Sequence, residues 1–133
     1  MTQQTLGGFK EVRAHVIDTG LQLHLGAYKI YRGRYGDVVV VAGKPTYKYL
    51  GRIDRDGTFV PNGNAKELGT EDKRELWGYM TRLRLGLTGF LKHYGDKTNH
   101  CGICGIKLTN DESKRRGYGP TCASKHGLPY GET

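Results

Sequence analysis

Residues Asn99 to His126, NHCGICGIKLTNDESKRRGYGPTCASKH, constrain the chain more than any other stretch, because they hold all three of its cysteines. Cys101 and Cys104 are spaced C-x2-C and followed by Gly105, so one tight turn can aim both sulfurs at a single ion. Gly105 allows the backbone to turn back with no Cβ in the way. Cys122 and His126 lie four apart and share one face if the segment is helical. Pro120, two residues before Cys122, suits the first turn of such a helix. Three thiolates and one imidazole make a closed tetrahedral set, so Cys101, Cys104, Cys122 and His126 are the expected ligands of one structural Zn2+. The alternative is buried thiols with no metal role. His100 rivals His126 as the fourth ligand, although a residue adjacent to Cys101 rarely points at the same ion. Ile106 and Leu108 alternate with Lys107 as in a short strand, and Asn110-Asp111 reads as a turn. Knuckle, hairpin and helix in that order describe a treble-clef type of finger.

An odd number of cysteines cannot close entirely into disulfides. With the C-x2-C spacing it argues for metal binding in a reducing cytosol. The first ten residues lack the apolar core of a signal peptide, and no apolar run approaches the roughly 20 residues that span a bilayer. The expectation is therefore a cytoplasmic protein without membrane association.

The stretch resembles a family of small zinc-finger-like proteins with the pattern C-x2-C-G-x2-L-T-x3-S-x3-G-x-G-P-x-C-A. Here the pattern is carried by Cys101, Cys104, Gly105, Leu108, Thr109, Ser113, Gly117, Gly119, Pro120, Cys122 and Ala123, and continues into Gly127, Leu128 and Pro129. The resemblance implies a zinc site in a protein of the kind frequent in bacteriophages and actinobacteria, mostly of unassigned function. Ile106 stands where the family usually has arginine.

At 133 residues the chain suits one domain, or one domain plus a finger. The division expected is residues 1–95, a β-meander with a helix, and residues 96–133, the zinc finger. The finger is too short to bury an adequate core of its own. Zinc binding supplies on the order of 10–16 kcal/mol, comparable with the whole stability of an ordinary domain.

The fold class expected is α+β, an antiparallel meander of four to six short strands packed on one long helix. Residues 1–8 read as loose. Val12, Ala14 and Val16 alternate with polar residues, as do Leu21, Leu23 and Leu25, and Asp18-Thr19-Gly20 lies between them as a turn. A second hairpin joins residues 28–32 to 38–42 through Gly33–Asp37. A third joins 47–53 to 58–60 through 54–57, with Pro45 and Pro61 as strand terminators. Thr70 reads as an N-cap, with Glu71 and Asp72 in the first turn. Leu76, Met80, Leu83 and Leu87 form one apolar face, extended by Trp77, Phe90, Leu91 and Tyr94. Gly86 and Gly89 weaken the second half and are candidate positions for a break or kink, and Gly95 reads as the stop.

Lys and Arg outnumber Asp and Glu by 21 to 13, a net charge of +8, which favours a polyanionic partner. Tyr28, Tyr31, Tyr35, Tyr47 and Tyr49 are interleaved with Lys29, Arg32, Arg34, Lys48 and Arg52, the composition of a single-strand stacking surface. In the finger, Lys107, Lys114, Arg115, Arg116, Tyr118 and Lys125 add a second basic group. Lys114–Arg116 read as a loop before the last helix. Nucleic-acid binding with little sequence specificity is the leading expectation. A module that binds and modulates a host or phage enzyme is the alternative. A treble-clef nuclease using His93, Asp96, Asn99 and His100 is a third reading. No nucleophile elbow or phosphate-cradling loop is present, and a filled four-ligand zinc has no open position for water.

Overall fold

The computed structural model describes the backbone of residues 2–43, 47–54 and 58–131. Among the described residues the fold is α+β, a five-stranded antiparallel sheet and six helices. The strands are β1 (Leu23–Leu25), β2 (Tyr28–Arg32), β3 (Val38–Ala42), β4 (Tyr49–Ile53) and β5 (Phe59–Pro61), in meander order. The hairpin expected over residues 28–42 is formed, with Ile30 opposite Val40 and Arg32 opposite Val38. The third hairpin is formed too, with Ile53 opposite Phe59. Pro45 and the turn residues 55–57 lie outside the described residues.

The first hairpin is not formed. Its first arm belongs to helix α1 (Thr2–Thr19), which also takes in residues 2–8 of the stretch expected to be loose. The period decides: Val12 and Val16, one helical turn apart, are fully buried, whereas Ala14 between them is exposed. A strand would have put all three on one face. The turn signal marks the end of this helix, with Gly20 at φ 73°. Its second arm, β1, pairs instead with β2 through a two-residue turn at Gly26-Ala27, Gly26 having φ 72°.

Alternation gives the sheet two unlike faces. Leu23, Leu25, Tyr28, Ile30, Val38, Val40 and Ile53 are buried. The register sets Tyr31, Val39, Arg52 and Val60 in one row of the opposite face, and His24, Lys29, Val41 and Tyr49 in the next. A bulge where β3 meets β4 leaves Leu50 unpaired, and Leu50 is buried. Beside it Gly51 has φ 154°, and a Cβ there would meet the Val60 carbonyl oxygen at 2.5 Å, so only glycine fits.

After α2 (Gly63–Lys66), the single helix expected is two: α3 (Thr70–Leu85) and α4 (Leu87–Thr98). Gly86 makes the break, with φ 146° and ψ 143°, while Gly89 stays helical. Gly69, rather than Thr70, is the N-cap of α3. Leu76, Met80, Leu83 and Leu87 are buried in the common core with Val12 and Val16. The Leu87 amide donates to the Glu11 carboxylate at 2.9 Å, so α1 supplies the cap that the Gly86 break removes. Glu11→Ala is expected to lower stability by about 1 kcal/mol, read from urea denaturation. An unchanged midpoint would show the contact to be idle.

Gly95 does not stop the helix. α4 runs on to Thr98 and is capped by Asn99 in the left-handed conformation, φ 60°. Gly95 is buried because α4 is crossed there by the backbone at Gly117: a Cβ on Gly95 would lie 2.6 Å from Gly117 Cα. The boundary expected after residue 95 thus falls inside α4. One core spans it, with Phe90, Leu91 and Tyr94 before it and Leu108, Tyr118 and Leu128 after it.

Candidate metal centre and basic surfaces

The C-x2-C turn is built as its glycine suggests. The Gly105 amide donates to the Cys101 carbonyl at 2.8 Å, and Gly105 takes φ 82°. The Ile103 amide donates to Cys101 Sγ at 3.3 Å, holding the sulfur inside the turn. The Cys101 amide donates to the Ile106 carbonyl, and a single bridge joins His100 to Lys107. This bridge is all that forms of the expected short strand. The turn is anchored to the sheet by the His24 amide, which donates to the Gly102 carbonyl at 2.6 Å.

The chain then forms α5 (Asp111–Arg116), where a hairpin and loop were expected. Asn110 caps it, its side-chain oxygen accepting from the Ser113 amide at 2.8 Å. Gly117 ends α5 at φ 87°, and α6 (Pro120–His126) follows with Pro120 in its first turn.

The fold brings Cys101, Cys104 and Cys122 together, with all three sulfurs within 4.8 Å of one another. Cys101 Sγ and Cys122 Sγ are 3.9 Å apart. Two thiolates on one tetrahedral ion, each at about 2.3 Å, stand about 3.8 Å apart, so the spacing suits a shared metal. Cys101 and Cys122 are buried and Cys104 is exposed. Burial pushes the Cys101 thiol up, and burial together with the neighbouring cysteines pushes Cys122 well above the usual thiol range. Bringing these sulfurs together as thiolates calls for a compensating cation.

His126, expected as the fourth ligand, is not in that set. It is buried, and its Nδ1 lies 2.8 Å from Thr19 Oγ1 at the end of α1. Burial, with Lys125 and His15 nearby, holds its imidazole below the ordinary value. The spacing argument put Cys122 and His126 on one helix, but the packing of α1 against α6 claims the ring. His100 is outside the set too, its Nδ1 lying 3.1 Å from the Gly105 carbonyl oxygen. Among the described residues, His93, Asp96 and His100 form no metal-binding group, and Asn99 caps α4.

The basic residues of the C-terminal part are differently placed from the expectation. Lys114, Arg115 and Arg116 are on helix α5, and Glu112 one turn earlier pairs with both arginines. Arg116 also donates to the Gly131 carbonyl. Tyr118 offers no stacking surface: it is 1% exposed, and its hydroxyl donates to the Pro129 carbonyl. Lys107, Lys114, Arg115 and Lys125 are exposed. A shallow cleft of about 440 Å³ brings Arg115 and Arg116 together with Lys92 of α4, which the sequence did not single out.

On the sheet, Lys29 and Tyr31 share the face opposite the buried one, with Lys29 Nζ 5.2 Å from the Tyr31 ring centroid. Tyr49 and Arg52 lie on the same face, exposed, and Arg52 is paired with Asp54 at 2.7 Å. Arg32, at the end of β2, and Arg34, in the following loop, are exposed. No helix of the described residues is long and apolar enough to cross a membrane.

Residues 92–127 match the model of a family of unknown function, DUF6011, over about a quarter of the chain. No curated protein and no solved structure matches the chain.

Proposed function

We propose that this chain is a small zinc-binding protein that binds nucleic acid with little sequence specificity, in a reducing cytosol. One Zn2+ holds the knuckle to the start of α6 through Cys101, Cys104 and Cys122, with a fourth ligand from outside this set, and is structural. The observation that carries the nucleic-acid reading is the second face of the sheet. There Tyr31 and Tyr49 stand in adjacent rows beside Lys29 and Arg52. Bases stack on tyrosine whatever their identity, and lysine and arginine meet the phosphates between them. The net charge of +8 supplies attraction at longer range.

The test is a labelled single-stranded oligonucleotide titrated with the full chain at several salt concentrations. Log affinity is expected to fall linearly with log salt, by counterion release. Replacing Lys29 and Tyr31 together with alanine is expected to weaken binding at least about fivefold, the loss of one stacked base, with no change in the thermal midpoint. Salt-independent binding, or an unaltered affinity in the double variant, would refute the reading and favour a protein partner instead.

A further inference from the structure

Trp77 belongs by its spacing to the apolar stripe of α3, yet 37% of it is exposed. Its ring is held edge-on by Phe59 of β5, with centroids 5.9 Å apart and planes at 76°. Thr70, Lys73, Arg74 and Trp77 follow one another at i, i+3, i+4 and i+7, so they form a single face of α3. That face lines a cavity of about 430 Å³, completed by Lys66 from the end of α2. Among the described residues, every charged side chain lining it is a cation, while Glu71 lines the neighbouring groove. An indole held at a fixed angle with three cations around it is complementary to a planar base carrying a phosphate.

We infer that the Trp77 cavity is a nucleotide-binding site, in which a base stacks on the indole and its phosphate is held by Lys66, Lys73 and Arg74. The ligand class is a nucleoside phosphate, met as one unit of a single strand or as a free nucleotide. The row of Tyr31, Val39, Arg52 and Val60 runs across the sheet to its edge at β5, and Phe59 of β5 holds Trp77. Phe59 is opposite Ile53 and lies on the other face from that row, so a nucleic-acid strand reaches the indole from the row only by passing round the β5 edge. The site does not depend on the sheet face binding anything, so the two readings fail separately.

Trp77 is the chain's one tryptophan, so its fluorescence reports this site alone. The full chain is titrated at low salt with a single-stranded oligothymidylate of about twelve nucleotides, with adenosine monophosphate, and with inorganic phosphate. Saturable quenching by the oligonucleotide is expected. Trp77→Leu is expected to weaken binding of the labelled oligonucleotide at least about fivefold. Lys73→Glu with Arg74→Glu, which leaves the indole in place, is expected to abolish the quenching at the same concentrations. Quenching by adenosine monophosphate equal to that by the strand supports the site and makes the free nucleotide its source. Quenching by phosphate alone, or an oligonucleotide that binds with neither quenching nor loss of affinity in Trp77→Leu, overturns the inference. In the last case, sensitivity to the Lys29 and Tyr31 replacements would leave the sheet-face reading standing.

Discussion

Cys122→Ser is expected to reduce bound zinc from one ion per chain to below about a tenth, and to unfold the segment from the knuckle to α6. Metal contributes on the order of 10–16 kcal/mol to small zinc lobes, more than the whole stability of many domains. The three sulfurs lie within 4.8 Å, and Cys101 and Cys122 are both buried, so loss of either leaves the other without its partner. Metal content by mass spectrometry and the far-ultraviolet melting curve measure the two effects. His126→Ala separates the geometric account from the spacing account. With His126 held to Thr19 and outside the sulfur set, that variant should keep its zinc while losing stability at the α1–α6 contact. Full zinc in Cys122→Ser, or none in His126→Ala, would contradict the three-sulfur centre.

Gly117→Ala should be nearly as damaging without touching a sulfur. Gly117 has φ 87°, and a Cβ there would lie 1.8 Å from the Leu91 carbonyl oxygen. The left-handed backbone costs a non-glycine residue about 1–3 kcal/mol, and forcing α4 off α5 adds a similar amount. A loss of about 3 kcal/mol or more is expected in urea denaturation. Gly105→Ala is the control: its φ of 82° is similar, but nothing lies within 4 Å of the added carbon. It should cost only the backbone share. Equal losses at the two positions would remove the packing argument.

What was legible in the sequence followed from local rules. The Leu76–Met80–Leu83–Leu87 face, the hairpin over residues 28–42 and the cysteine turn each need only a period or a spacing to be read, and each is present. What was not legible was decided by contacts distant in sequence. Val12 and Val16 satisfy a strand period and a helix period equally, and the core they enter selects the helix. Gly95 resembles a helix stop until Gly117 arrives against it. His126 meets Thr19 across 107 positions, which no local pattern announces. Asn110 with Asp111 and Glu112 did carry a usable signal for α5, an N-cap followed by acid in the first turn. Trp77 was read as core because hydrophobic spacing does not distinguish the middle of a stripe from its margin.

The recurring segment begins at residue 92, one position after the carbonyl against which Gly117 is fitted. Residues 92–127 lifted into another protein as a cassette would therefore leave their tightest abutment behind. A portable unit has to start at least a helical turn earlier, so that the borrowed piece brings along the wall it leans on.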